Sequence, residues 1–160
     1  MLTMVEPTRE TMPFRQAMLS DPATMTYNAP WFPPDGCLPF PEDAWDEWLD
    51  RWTGHEPERF CGFLADETGA LVGEICWSGH GASMGIVILA AHRGRGYGEE
   101  GLRLLIQRAF RHPEIVSLTN EFETERKAAM AVHRRLGFVP VGEENGVVTL
   151  RLNRREHRDE

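Results

Sequence analysis

The stretch Ile86-Val-Ile-Leu-Ala-Ala-His-Arg-Gly-Arg-Gly-Tyr-Gly98 decides the fold. Its first half is a short apolar, β-branched run suited to a buried strand, and its second half holds Gly94, Gly96 and Gly98. Behind it, Leu102, Leu105, Ile106 and Ala109 recur at the spacing of one helix face. A strand that turns through glycines into a helix leaves unpaired N–H groups, and the positive end of the helix dipole, beside a backbone that no Cβ shields. Such a turn suits a pyrophosphate.

Two nucleotide motifs compete for it. Gly96-Tyr-Gly-Glu-Glu-Gly101 is followed by Leu102 and Arg103, whereas a phosphate loop needs Lys and then Ser or Thr, so that reading fails. The same residues satisfy the letters of GxGxxG, with Glu121 and Glu123 about 20 residues further on. Context opposes a dinucleotide fold: hairpins precede the turn, only one βαβ unit is visible, and Glu99 and Glu100 would sit beside the pyrophosphate.

Upstream, Arg59 to Ala65, Ala70 to Trp77 and Met84 to Leu89 read as strands. Asp66-Glu-Thr-Gly69 and Ser78-Gly-His-Gly-Ala-Ser83 join them as turns, which makes an antiparallel meander. Downstream, the strand Ile115 to Phe122 follows a helix-length crossover and is expected to lie parallel to the strand 84–89. A last helix, Arg126 to Leu136, stops at Gly137, and Phe138 to Val141 pairs with Val147 to Leu152 as a hairpin. Near the start, Thr8 to Leu19 reads as a helix, and Tyr27 to Pro41, with five prolines, as a long stiff loop. The helix opened by Pro41 carries Trp45, Trp48, Leu49 and Trp52 on one face, which serves either as core or as the wall of a substrate pocket. The predicted fold class is α+β: a mixed, mostly antiparallel sheet flanked by helices, with one parallel strand pair around the glycine turn. Residues 1–152 form one domain, and the charged tail 153–160 is expected to fray.

The 160 residues carry 25 Asp and Glu against 17 Lys and Arg, a net charge of −8. Residues 1–92 hold 14 acids and 4 bases (−10), and residues 93–160 hold 11 acids and 13 bases (+2). That distribution argues against a nucleic-acid binder, which spreads a positive field. It admits an anionic ligand beside a cationic one. Cys37, Cys61 and Cys76 are odd in number and form no CxxC pair, so neither a disulfide framework nor a metal site is expected, and a reducing cytoplasm fits. No signal peptide and no apolar run long enough to span a membrane is visible.

The segment 86–98 resembles the acyl-CoA signature of the GNAT superfamily of N-acetyltransferases, Gln/Arg-x-x-Gly-x-Gly/Ala, filled here by Arg93, Gly96 and Gly98. His133-Arg-Arg-Leu-Gly-Phe138 is similar to the family's later Tyr-x-x-x-Gly-Phe, and the order of elements matches over nearly the whole chain. The resemblance implies acetyl-CoA as co-substrate and no metal. Ile86, Val87 and Ile88 would offer strand backbone to the pantetheine arm. Gly94, Arg95, Gly96, Tyr97, Gly98 and Glu99 would cradle the pyrophosphate, with charge from Arg93 and Arg95. Arg126, which stands where the family often has Asn, would be a further cofactor contact, and His133 stands where the family often has Tyr.

Acetylating an amine requires removal of a proton from an ammonium whose pKa is near 10. Glu74, a charged residue inside the apolar strand Val72-Gly-Glu-Ile-Cys76, is the first candidate base, and Glu121 and Glu123 are the second. His133 is the candidate acid for the departing thiolate, and a backbone N–H at Ile88 or Leu89 the donor to the oxyanion. The acids Asp35, Asp43, Asp46 and Glu47, among aromatics, suit an amine with apolar bulk. The expected activity is acetyl transfer to a primary amine, small molecule or peptide, by direct attack in a ternary complex. The alternatives are a non-catalytic acyl-CoA-binding module and a protein N-terminal acetyltransferase, and a homodimer is left open.

Overall fold

The computed structural model describes residues 1–32 and 34–157. Four strands form one antiparallel sheet in chain order: β1 (Thr3–Val5), β2 (Phe60–Ala65), β3 (Leu71–Ser78) and β4 (Ser83–Ile88). A second antiparallel sheet has the order β5 (Ser117–Glu123), β7 (Val147–Asn153), β6 (Val139–Glu144). The meander and the C-terminal hairpin are as predicted, and β1 is an addition the sequence did not signal.

The expected parallel pair takes another form. β4 and β5 are neighbours, yet no ladder joins them, and each ladder between described strands is antiparallel. Two sheets that part at this seam leave a cleft between them. The cleft positions the site.

Helices cover both faces of the first sheet, which is why all six residues of β2 are buried. On one face lies α4 (Tyr97–Ala109), whose Leu102, Leu105, Ile106 and Ala109 pack with Leu64, Ile75 and Trp77. Gly101 is needed for this contact, since a Cβ there would stand 2.8 Å from side-chain methyls of Ile86 and Leu64. On the other face lie α1 (Met12–Leu19), α2 (Pro22–Asn28) and α3 (Trp45–Trp52). The tryptophan stripe belongs to this second core: Trp48 stacks on Phe63 at 6.3 Å and meets Phe40 at 6.1 Å. It lines neither of the cavities described below.

α2 falls where the sequence showed only the approach to a proline-rich loop. Pro22 starts it, and the buried Thr24 hydroxyl accepts the Ala90 N–H at 2.9 Å, fastening the helix to the end of β4. α5 (Lys127–Arg135) follows β5 as expected. The tail is not frayed at its start: Asn153 ends β7, and Arg154 donates to the carbonyls of Ile115 (2.9 Å) and Phe110 (2.8 Å). Residues 158–160 of that tail lie outside the described residues.

The cysteines also depart from expectation. Cys61 and Cys76 face each other across β2 and β3 with Cα atoms 4.2 Å apart and are joined as a disulfide. No helix among the described residues is long and apolar enough to cross a membrane.

Candidate active site

Two cavities meet where the sheets part, sharing Asn28, Ile86, Arg126, Ala129 and His133 as walls. The first, about 370 Å³, runs along β4 and the glycine turn, and the second, about 230 Å³, is floored by Glu74, Cys76 and Met84.

The first cavity is built from backbone. Gly94 and Gly96 sit at φ +79° and +81°, where a side chain is strained, and a Cβ at 94, 96 or 98 would meet nothing within 4 Å. Since the first helical bond of α4 is Glu100 N–H to Gly96 carbonyl (3.1 Å), the N–H groups of Tyr97, Gly98 and Glu99 have no partner within the helix. The Leu89 N–H is spent on Val72 O at 2.9 Å. Along an antiparallel ladder the bonding direction alternates, so Val87 also turns its backbone to β3, while Ile86 and Ile88 turn theirs to the open seam. Of the three strand residues expected to offer backbone, two do so, and Ile88 rather than Leu89 holds the free N–H. Open donors, a cradle that no side chain fills and an unpaired strand edge fit the pyrophosphate and pantetheine arm of coenzyme A.

The charged residues around this cradle behave differently from expectation. Arg93 lines the cavity, but its guanidinium donates to the carbonyls of Ala23 (3.3 Å) and Thr24 (3.2 Å) and lies 4.8 Å from the Tyr27 ring centre, so it clamps the turn to α2. Arg95 reaches His92 at 3.4 Å and is not on the cavity wall. Glu99 is held by Arg135 at 3.0 Å, and Glu100 accepts the N–H of Leu2, so the two acids that counted against a pyrophosphate are occupied.

The second cavity is built from side chains. Glu74 is buried, and Arg15 Nε donates to its Oε2 at 2.8 Å. Arg15 is itself packed against the rings of Trp48 (4.3 Å) and Phe40 (4.7 Å). Burial raises the Glu74 pKa, and Arg15, by charge and hydrogen bond, opposes that rise. Glu121 stands exposed on the rim. Glu123 does not line this cavity and pairs with Arg126 at 3.6 Å. The two glutamates expected to act together are therefore divided.

His133 is fixed as a neutral ring. The Glu121 N–H donates to Asn120 Oδ1 (2.9 Å), which makes Asn120 Nδ2 the donor to His133 Nε2 (3.0 Å), while Nδ1 donates to Ala129 O (2.7 Å). Nε2 carries no proton in this arrangement. Burial, reinforced by the charge of Arg126, pushes the His133 pKa down despite the opposing hydrogen bond to Ala129. Packed against Phe122 and Phe138, His133 supports Asn120 and is not set up as an acid.

Sequence reasoning missed Arg15, Asn28, Asn120 and the roles of Tyr27 and Trp31. The aromatics of the proline-rich segment hinted at the last two, but nothing in the sequence linked Arg15 to Glu74. Cys61, Glu74 and Cys76 bring their donor atoms within 4.8 Å of one another, but with the sulfurs bonded together they offer no thiolates to a metal.

Residues 1–139 match the family model described as an acetyltransferase (GNAT) domain. No curated protein matches the chain. Among solved structures, spermidine N-acetyltransferase from Vibrio cholerae in complex with CoA and spermine is similar with a TM-score of 0.78 and 18% identity, covering 97% of this chain and 96% of that one. A GNAT-family acetyltransferase from Streptococcus pneumoniae gives 0.79 and 17%, covering 96% and 99%. One from Bacillus anthracis gives 0.72 and 15%, covering 97% and 96%. Likeness at such identities establishes the α+β fold with its helix-flanked antiparallel sheets.

Proposed function

We propose, since the chain belongs to the GNAT acetyltransferase family, that it transfers an acetyl group from acetyl-CoA to a primary amine by direct attack in a ternary complex. One observation carries this reading: the backbone-built groove and the carboxylate-bearing cavity lie side by side and share five wall residues, so thioester and amine can meet at that wall. Ile86 and Ile88 hold the pantetheine arm, and the glycine turn with the start of α4 holds the pyrophosphate.

Glu74 takes the proton of the bound ammonium, directly or through one water, and its raised pKa suits a base working near neutrality. The amine nitrogen then bonds to the thioester carbonyl carbon while the Ile88 N–H meets the charge developing on oxygen. The carbonyl re-forms as the C–S bond breaks, the new amide nitrogen gives up its remaining extra proton to water, and the departing thiolate takes a proton from water.

Calorimetric titration with coenzyme A, followed by thiol release from acetyl-CoA across an amine and peptide panel, tests the reading. Saturable binding and amine-dependent release are expected. Binding without release from any amine would favour a non-catalytic module, and activity confined to peptides would favour N-terminal acetylation.

A further inference from the structure

The amine cavity is nearly charge-balanced. Three carboxylates belong to it or its immediate partners, Glu74, Glu121 and Glu123, against two guanidinium groups, Arg15 and Arg126, which leaves a net charge of −1. Arg15 cancels Glu74 from behind at 2.8 Å and is locked in place by Trp48 and Phe40. Arg126 lines both cavities, packs 4.2 Å from the Tyr27 ring centre and 5.4 Å from that of Phe122, and has Glu123 at 3.6 Å. Its Nε is buried without a hydrogen-bond partner, and the contacts that hold the cation at the seam are the two rings and Glu123. Glu121 has no ion-pair partner among the described residues. The other exposed feature of the wall is apolar, the indole of Trp31, which is 70% exposed.

A polyamine such as spermidine carries roughly three positive charges at neutral pH. Entering this cavity, it would find one uncancelled carboxylate, Glu121, because Arg15 offsets Glu74 and Arg126 offsets Glu123. A monoamine needs one carboxylate and an apolar surface, and both are present.

On the reading of this site as an amine acetyltransferase, we propose that the acceptor is a singly charged primary amine with an apolar body, and that Arg126, with Arg15 behind Glu74, is the specificity-determining feature that excludes polyamines. The Vibrio cholerae structure in complex with CoA and spermine shares the fold at 18% identity.

The test is thiol release from acetyl-CoA with phenethylamine and with spermidine, comparing kcat/KM for the two in the wild type, Arg126→Gln and Arg126→Lys. In the wild type, phenethylamine is expected to exceed spermidine by tenfold or more. Arg126→Gln takes one positive charge from the wall and is expected to move the spermidine-to-phenethylamine ratio about tenfold toward spermidine. Arg126→Lys, which keeps the charge, is expected to hold the ratio near that of the wild type. The ratio is read within one preparation, so partial unfolding or weaker cofactor binding does not move it. Spermidine equal to or better than phenethylamine in the wild type, or a ratio unmoved by Arg126→Gln, overturns the proposal and leaves the acetyltransferase reading standing. Absence of release from any amine overturns both.

Discussion

Two carboxylates are held by arginine in different parts of the molecule, and their ionisation is driven in opposite directions. Glu56, just before β2, receives two parallel hydrogen bonds from Arg108 at 2.9 Å each and lies 3.1 Å from His112 Nε2. The Arg108 hydrogen bonds outweigh partial burial, and its pKa falls. Glu74 has a single arginine hydrogen bond and is buried, and its pKa rises. An arginine neighbour does not by itself keep a carboxylate ionised; donor count and remaining water decide. Glu56 is a clamp from a loop onto α4, whereas Glu74 is left able to take up a proton beside a cavity.

Replacing each member of these pairs should break the comparison in a distinct way. Glu74→Gln keeps an oxygen to accept from Arg15 but removes the carboxylate proposed as base, so kcat/KM for an amine should fall about 10²–10⁴-fold with a modest change in melting temperature. A loss below tenfold would move the base to Glu121. Arg15→Gln should be the larger insult to stability, roughly 3–5 kcal/mol near pH 7 by urea denaturation, because it strands a buried charge. Without Arg15 the folded-state pKa of Glu74 rises further. The deficit is then full above that value and fades as pH falls through it toward the wild type's own raised value, since a protonated Glu74 needs no partner.

Glu56→Gln sharpens the contrast. The charge-assisted bonds it loses are worth about 2 kcal/mol at pH 7, and no substrate-facing group changes. Because the folded pKa of Glu56 lies below 4.5, this deficit should persist through mildly acidic pH and shrink only as pH falls below 4.5 through that lowered value. Denaturation of the two variants across pH 4–7 separates them: Arg15→Gln recovers first. Thiol release by folded Glu56→Gln should stay within about twofold of the wild type.

The same division explains what the sequence disclosed. The cofactor groove is made of backbone, and backbone demands leave local marks: positive-φ glycines at 94 and 96, a β-branched strand, and a helix whose apolar face repeats at fixed spacing. The meander, α4, α5 and the C-terminal hairpin were legible for that reason. The cavity that holds Glu74 is made of side chains from segments far apart, Arg15 from α1 and Glu74 from β3, 59 residues away. No local pattern encodes such a meeting. Glu74 stood out because a charge within an apolar strand is anomalous, but its partner could not be named. His133 misled in the opposite sense: its place in the Gly-Phe motif suggested an acid, and only the Asn120 and Ala129 bonds show a neutral ring. The disulfide was hidden likewise, because pairing of Cys61 with Cys76 depends on strand register.

The smallest expected effect concerns the acids once assigned to the amine. Asp46 and Glu42 each lie 2.8 Å from Arg9 on the outer surface, and Asp35 accepts the Cys37 N–H at 3.1 Å. None of Asp35, Asp43, Asp46 or Glu47 lines either cavity. Exposed pairs of this kind contribute about 0.2–1 kcal/mol, because water screens them and two long side chains must be ordered. Asp46→Asn should therefore lower stability by less than about 1 kcal/mol and leave KM for the amine within twofold. A tenfold rise in KM would mean that the substrate reaches the outer face of α3, and that the contrast between a paired interior carboxylate and a solvated exterior one does not mark the edge of the site.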